Sequence, residues 1–424
     1  MPKPHRLQYI LILAVGACWL PTTLDAAGVP DQAFTEWFGD LAESGAETAG
    51  LTAFPTLEIP VGGEHEALAT AYTAAARDAS YFEANPAASA DLEVTELAVF
   101  HNNLIADTSM EAITYTTRFE DFGIGFSGKS LRVPFTGYDG FGVQESTGRY
   151  SELVLGANVA YNLFDSFYYS GLGVGMNVKL AYRNIPEIVA PNQNAVGTMV
   201  DLGLLTRFDF LKFYSSRARN AAVGLVLKNF GPNVDGEPLP TEAVGGIAFS
   251  PVRPVMITTD VIVPFNPLSS QPSESIGFAS GVAVEATEFF SVRSGFLLRN
   301  GNPRVAVGAS VDLDRITLTA NYTLDMTTQI AALDRFSIQA GFSFGDRGRA
   351  EREERVRELY LDSLEAFASG DLERTVVLAG QAAELDPSFQ PATETLALAN
   401  RMLLLQQGIE DIRTTEETID ESSE

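Results

Sequence analysis

The feature that most constrains this chain is a period of two that runs from about residue 95 to residue 345. In "LGVGMNVKLAYR", Leu172, Val174, Met176, Val178, Leu180 and Tyr182 alternate with Gly173, Gly175, Asn177, Lys179, Ala181 and Arg183. One face is large and apolar; the other is small or polar. Side chains alternate sides along a strand, so such a strand separates two unlike surroundings. "LVLGANVAYNL", "ITLTANYTL" and "FSIQAGFSF" repeat the pattern. A water-soluble sandwich alternates too, so strand number and loop length must discriminate. Runs near 95–104, 110–120, 122–136, 152–164, 168–184, 198–210, 220–229, 242–250, 255–264, 275–287, 289–299, 304–313, 315–324 and 334–345 make fourteen, an even number. Short connections ("EDF", "FDSF", "PVRP", "DLDR") tend to alternate with long ones ("GYDGFGVQESTGRYS", "NIPEIVAPNQNAVG", "NFGPNVDGEPLPTE", "PFNPLSSQPSES", "LDMTTQIAALDR"). Aromatic residues cluster near strand ends, among them Phe164, Phe167, Tyr168, Phe208, Phe210, Phe289, Phe290 and Phe344. Together these predict an all-β transmembrane barrel of about 14 antiparallel strands over 95–345, its short turns periplasmic. Closure removes the sheet edges that lipid cannot satisfy.

The flanks read differently. "MPKPHR" followed by "LQYILILAVGACW" has the layout of an export signal, residues 1–26. Cleavage after Ala26 is preferred; the competing site, the loose lipobox "VGAC", would place a lipid on Cys18. Cys18 is the only cysteine, so the exported chain has no disulfide. Residues 27–94 form a compact segment that reads as an N-terminal hatch or plug, with helical spacing in "DQAFTEWFGDLAE" and "HEALATAYTAAARDASYF". Residues 346–412 read as a small α-helical module. Within it Gly370, Asp371, Ala382, Leu385, Asp386 and Pro387 follow the order of a tetratricopeptide repeat, and Leu361, Leu364, Leu378, Leu385 and Leu403 are its expected core. Residues 413–424 read as an acidic disordered tail. Fourteen strands return the chain to the side where it began, so a hatch that starts in the periplasm puts the helical module there too.

The chain has 55 acidic and 28 basic residues, a formal net charge of -27, which argues against nucleic acid as a partner. No apolar run beyond the N-terminus reaches the 18 or so residues that a spanning helix needs. "GIGFSGKS", Gly123 to Ser130, fits the phosphate-binding pattern G-x-x-x-x-G-K-[ST]. A P-loop needs a helix after it, whereas Phe122, Ile124 and Phe126 alternate here and Val133 and Pro134 follow, so no nucleotide site is expected. "GLGVG" at 171–175 fails as a dinucleotide fingerprint for the same reason, and its glycines read as small residues that leave lumen space. His65 reads as part of a solvated helix start and His101 as a lumen or rim group. Neither has metal-ligand spacing, and no Ser–His–Asp layout stands out, so no metal, cofactor or enzymatic activity is expected.

"FPTLEIPVGGEHEALATAYTAAARDASYFEANPAASADLEVTELAVFHNNLIADTSMEAITY" and "FGIGFSGKSLRVPFTGYDGFG" resemble an uncharacterised treponemal (spirochaete) family. That family is regarded as similar to the FadL-type long-chain fatty-acid transporters of outer membranes. The shared landmark is Asn85-Pro86-Ala87 in the hatch. "EANPAASA" lacks the bulky residue that often follows that triplet, and the helical module is absent from the enterobacterial transporters. The resemblance implies a 14-stranded barrel with the hatch inside it. It implies passive uptake of fatty-acid-like hydrophobic molecules across the outer membrane. The alternative is a FadL-like barrel that serves as an assembly or secretion partner, with the helices docking a periplasmic protein; a general porin is a third option.

One irregularity remains. Along the third strand apolar residues fall at 122, 124 and 126, then at 131, 133 and 135. A phase slip of one residue reverses the faces unless a residue is looped out as a bulge. Ser127, Gly128, Lys129 and Ser130 span the slip, and Pro134 removes a ladder donor beyond it. A kinked third strand opens the wall beside the hatch in the transporters that the chain resembles, so these five residues are the candidate lateral gate, with Lys129 a carboxylate partner. The alternative is that Leu131, Val133 and Phe135 face an apolar lumen.

Overall fold

In the computed structural model, fourteen antiparallel strands close into a barrel in chain order, and β1 (Glu96–Asn103) pairs with β14 (Arg335–Ser343). The structure describes residues 52–187, 193–216, 218–266, 274–326 and 334–421. The export signal, Cys18 and "DQAFTEWFGDLAE" lie outside the described residues. Between the closing strands come β2 (Ser109–Phe119), β3 (Phe122–Tyr138), β4 (Gln144–Asp165), β5 (Ser170–Asn184), β6 (Ala195–Phe208) and β7 (Ala221–Phe230). The circuit is completed by β8 (Glu242–Val252), β9 (Val255–Pro264), β10 (Gly277–Thr287), β11 (Phe290–Arg299), β12 (Asn302–Leu313) and β13 (Ile316–Asp325).

Alternation located all fourteen strands. The largest displaced end is that of β4, which begins at Gln144 and not near 152. There the supposed long loop is a continuation of the β3–β4 hairpin. Phe135 still points inward, and Gly148 leaves room for its ring: a Cβ at Gly148 would stand 2.2 Å from Phe135 Cζ. Both ends of the barrel sheet, Glu96 and Ser343, lie at the short-turn end, where Thr95 and Gly345 are hydrogen-bonded.

The two faces are as unlike as the sequence required. On β5 Val178 is 50 % exposed and its neighbour Asn177 is 0 % exposed. Leu155, Leu180, Leu225, Ile247, Leu318 and Ile338 join Val178 on an exposed apolar outer face. A contiguous belt of this kind is the signature of a surface covered by lipid.

Residues 52–94 fill the lumen. The expected long helix over "HEALATAYTAAARDASYF" does not form. Only α1 (Gly63–Ala67) and α2 (Tyr81–Ala84) are helical, and Ala69 and Thr70 have positive φ. The barrel wall takes over the backbone groups that a helix would pair. Asp260 accepts the amides of Tyr72 (3.1 Å) and Thr73 (2.9 Å), and Arg207 Nη2 donates to the Ala76 carbonyl at 2.9 Å. Intrinsic alanine propensity is a fraction of a kcal/mol per residue, so these buried bonds override it.

Beyond the barrel stand α3 (Arg349–Ala368), α4 (Leu372–Leu385) and α5 (Gln390–Glu421). Asp371 caps α4 by accepting the Arg374 amide at 3.0 Å. Before α3, amide hydrogen bonds from Ala350 and Gly348 hold the Asp346 carboxyl below the usual carboxylate range. The expected leucine core is not the core. Leu361, Leu364 and Leu385 are exposed, Leu378 is partly buried, and Leu403 is half-buried. The helices meet through Val356, Leu359, Ala366, Ala379, Ala382, Phe389, Ala392 and Ala399. Small alanines let the axes approach closely, and Leu361, Leu364 and Leu385 are turned outward while Leu359 stays inside. The described part of the acidic tail is not irregular either, because α5 continues to Glu421. The module sits against the short-turn end: Arg349 donates to the carbonyls of Leu92 and Arg118, Arg352 pairs with Glu120 at 3.0 Å, and Phe389 stacks edge-on against Phe167.

Candidate functional site

The hatch is seated on glycines. At Gly175 a Cβ would lie 2.4 Å from the Ala87 amide, at Gly203 2.1 Å from Asn85 Oδ1, and at Gly123 2.3 Å from the Ser89 carbonyl carbon. The lumen-facing glycines therefore do not leave open space; they receive the hatch backbone. Asn85, Pro86 and Ala87 occupy this cradle. Asn85 Nδ2 donates to the carbonyls of Thr73 and Leu204, both at 3.0 Å, while its Oδ1 accepts the Ala87 amide at 3.1 Å. Asn158 Nδ2 donates to the Pro86 carbonyl at 3.0 Å. The triplet is thus a structural lock between hatch and wall, with the Asn85 side chain 0 % exposed and three of its four hydrogen-bonding positions filled.

On the β12–β14 side the seat is polar. Glu66, 1 % exposed, accepts from Ser337 Oγ (2.5 Å), Thr323 Oγ1 (3.1 Å) and Asn102 Nδ2 (3.4 Å), and Arg335 lies 3.9 Å away. On the adjoining β11, Arg299 pairs with Glu58 at 3.0 Å and Arg293 with Glu64, which also holds the hatch's own Arg77. Buried charges need such partners. Between hatch and wall remains a cavity of about 80 Å³, room for several waters. His65 lines it. Far from the solvated helix start expected, His65 is 4 % exposed, and neither ring nitrogen has a hydrogen-bond partner.

On the β1–β3 side the seat is apolar. Phe100, Met110, Ala112 and Leu131 are buried together with Val61 and Ala79 of the hatch, and Ile59, Leu104 and Val133 pack against them. This settles the phase slip. The pairing of β3 with β2 and β4 runs without a shift through Ser127, Gly128, Lys129 and Ser130, and the only irregularity with β4 is at Gly137/Tyr138. No bulge forms. The faces never reverse; the apolar residues change sides, and Leu131 and Val133 point inward. Gly128 and Ser130 face outward, and so does Pro134 higher on the strand. Ser127 and Lys129 face the cavity. The carboxylate partner of Lys129 is Glu83 of the hatch, at 2.5 Å, so the lysine is a strut between wall and hatch.

The outer side of the same sector carries a polar interruption in an otherwise apolar face that includes Val99, Ile113 and Phe126. Ala320, Ile338, His101, Glu111, Ser130, Leu153 and Tyr182 form one cross-strand row on the outer face. Both flanks of the row are apolar and the three middle positions are not. His101, expected in the lumen or at the rim, lies in this outward row and bonds Glu111 at 2.7 Å. Strand tilt in a barrel makes such a row climb steadily in height, so the polar positions lie between apolar ones. The sequence signal for this inversion was the slip in β3; its extension over β1 and β2 was missed because those strands are short.

Residues 40–345 match the uncharacterised protein family UPF0164, and the chain belongs to that family. Its relatives include a UPF0164 protein of Treponema pallidum (strain Nichols) that is 27 % identical over 406 residues and 92 % covered, as is this chain. A second from the same organism is 25 % identical, over 84 % of this chain and 76 % of its own. Among solved structures the barrel is similar to the Ralstonia pickettii toluene transporter TbuX, with a TM-score of 0.46 and 13 % identity over 70 % of this chain and 99 % of that one. It is also similar to the CymD monoaromatic hydrocarbon channel, with a TM-score of 0.46 and 12 % identity over 68 % and 97 %.

Proposed function

We propose that the protein is an outer-membrane channel for passive uptake of hydrophobic compounds, long-chain fatty acids among them, with its helical module in the periplasm. One observation carries this reading: hatch and wall meet largely through apolar contacts, and on β1–β3 such a seat, Phe100, Met110 and Leu131 under Val61 and Ala79, lies where the outer face is interrupted by His101, Glu111 and Ser130. An apolar ligand can replace apolar hatch contacts at little cost, whereas a porin for polar solutes needs no such lining. Ligand would enter beside Leu104 and Val133, displace Ile59 and Val61, and break the Lys129–Glu83 strut as the hatch shifts. Exit through the wall at Ser127–Ser130 is the second step of the proposal. The outer side there carries His101, Glu111 and Ser130, so this is the part of the wall least adapted to lipid. The competing role, an assembly partner docking periplasmic proteins through its helices, predicts no ligand response. The purified protein is titrated with oleate and with toluene while its thermal transition is followed, since a ligand bound by the folded state alone raises apparent stability. Wild type should rise with at least one of them, and Leu131→Asn should bind about tenfold more weakly, a loss of about 1.4 kcal/mol. An unchanged transition with both ligands would reject the channel reading.

A further inference from the structure

The last helix carries a second apolar stripe that its own neighbours do not use. α5 is 32 residues long. Its packed stripe, Ala392, Ala399 and Leu403, ends at Leu403; the positions that would continue it, Gln406, Gln407 and Glu410, are polar. A different stripe begins at Leu398 and goes on through Met402, Leu405, Ile409 and Ile412, all between 42 % and 66 % exposed. The steps are four, three, four and three. That is the 3.5-residue period of a coiled-coil seam, narrower than the face of a helix that packs on a globular core. A strict 3.5 period stays in contact only with a partner helix that supercoils with it.

We propose that α5 pairs with α5 of a second copy of this chain in a two-stranded coiled coil, which makes the protein a dimer. The chain itself supplies a seam of matching length and period. Residues 398–412 contain three charged residues, Arg401, Glu410 and Asp411, none of them on the stripe, so two copies meet there without a run of like charge in the seam despite the strongly acidic chain. Two such seams bury on the order of 1,000 Å², the low end for a specific interface. Two barrels held in one bilayer share an orientation, and that confinement raises their effective concentration as a linker would. The interface is isologous, each copy giving the same stripe, so it closes at two. The inference rests on the seam alone and is independent of what the channel carries.

The test counts subunits of the full chain reconstituted in liposomes at low protein density, by single-molecule photobleaching. Wild type should bleach in two steps. The double variant Leu405→Glu/Ile409→Glu should lose the dimer at least tenfold, while the heat-dependent gel shift of its barrel is unchanged. Val377→Glu, exposed on α4 and off the seam, should remain dimeric. Under mild oxidation Ile409→Cys should form an intermolecular disulfide, with wild type, whose only cysteine is Cys18, as background. A monomeric wild type would overturn the proposal, as it would if the seam served another protein. A dimer that survives the double variant would overturn it too, by placing the interface elsewhere.

Discussion

The β12–β14 wall and the β1–β3 wall hold the same hatch by opposite means. On β12–β14, Ser310, Thr319, Asn321, Thr323, Ser337 and Gln339 face inward, and Val307, Leu318, Tyr322 and Ile338 face outward. On the upper part of β1–β3, Phe100, Met110 and Leu131 face inward, and His101, Glu111 and Ser130 face outward. A hydrogen-bonded seat is unforgiving, because each buried donor or acceptor that loses its partner keeps its full desolvation cost. An apolar seat is exchangeable, because a ligand of similar chemistry can restore what the hatch gives up. On the proposed uptake reading the hatch is hinged by chemistry: held by hydrogen bonds along β12–β14 and along the Asn85 cradle, and released at the apolar patch of upper β1–β3 once the Lys129–Glu83 strut breaks.

The strongest way to break this contrast is to cut the fixed side. Glu66→Ala removes the acceptor of Ser337, Thr323 and Asn102 and leaves Arg335 without its nearest carboxylate on the hatch. Loss of one partner from a buried charged network costs roughly 3–5 kcal/mol. Chemical denaturation of the folded barrel in detergent should show that loss, together with greater protease access to residues 57–70. A variant within 1 kcal/mol of wild type would mean, on the same scale, that the polar seat is not what fixes the hatch.

The next contrast lies on the outside. Ile247→Arg, at the middle of β8, puts a cation in the apolar belt and should cost about 2–4 kcal/mol, as charges do near the bilayer midplane. Ser130→Arg adds the same charge beside Glu111, in the polar interruption, and should cost less than about 1 kcal/mol, the value typical near an interface. Assembly yield and denaturation in liposomes report both. Equal penalties would show that the outer face of β1–β3 is lipid-covered like the rest.

What the sequence made legible follows from the range of the interactions. Strands such as "LGVGMNVKLAYR" are written locally, because the period of two needs only the two surroundings of the wall. The glycines of the lumen face were visible as a small face, but not as seats, because Pro86 and Ala87 are about ninety residues away from Gly175 in the chain. Residues 68–80 read as helix because alanine favours it, while Asp260 and Arg207, from distant strands, decide their backbone. The slip in β3 was real, but a slip in apolar phase has two causes, a bulge or an exchange of surroundings. Only the register through Ser127–Ser130 tells them apart. In the helical module leucine was mistaken for core because its size suggests burial; close packing through Ala379, Ala382 and Ala399 reverses that choice.

The smallest effect separates the two faces of "GIGFSGKS" itself. Gly123 faces the hatch, where an added Cβ would meet the Ser89 carbonyl carbon at 2.3 Å, a backbone atom that cannot swing away. Gly123→Ala should therefore cost about 1–3 kcal/mol, the range for overpacking a filled interior, and should loosen the hatch. Gly128 faces the belt. A Cβ there would find Leu155 Cδ2 at 3.6 Å and Ile113 Cγ2 at 3.7 Å, ordinary contacts, and the residue is not among those with positive φ. Replacing such a glycine restricts the unfolded chain and should stabilise by about 0.4–1 kcal/mol. A hinge at Gly128 would behave otherwise, since alanine would stiffen it and slow uptake. With the ladder unbroken through this stretch, Gly128→Ala should leave oleate flux into proteoliposomes at the wild-type rate. A fall in flux without loss of folded barrel would show that the wall bends at Gly128 during transport, and the fixed-and-releasable contrast would then have to include the wall as well as the hatch.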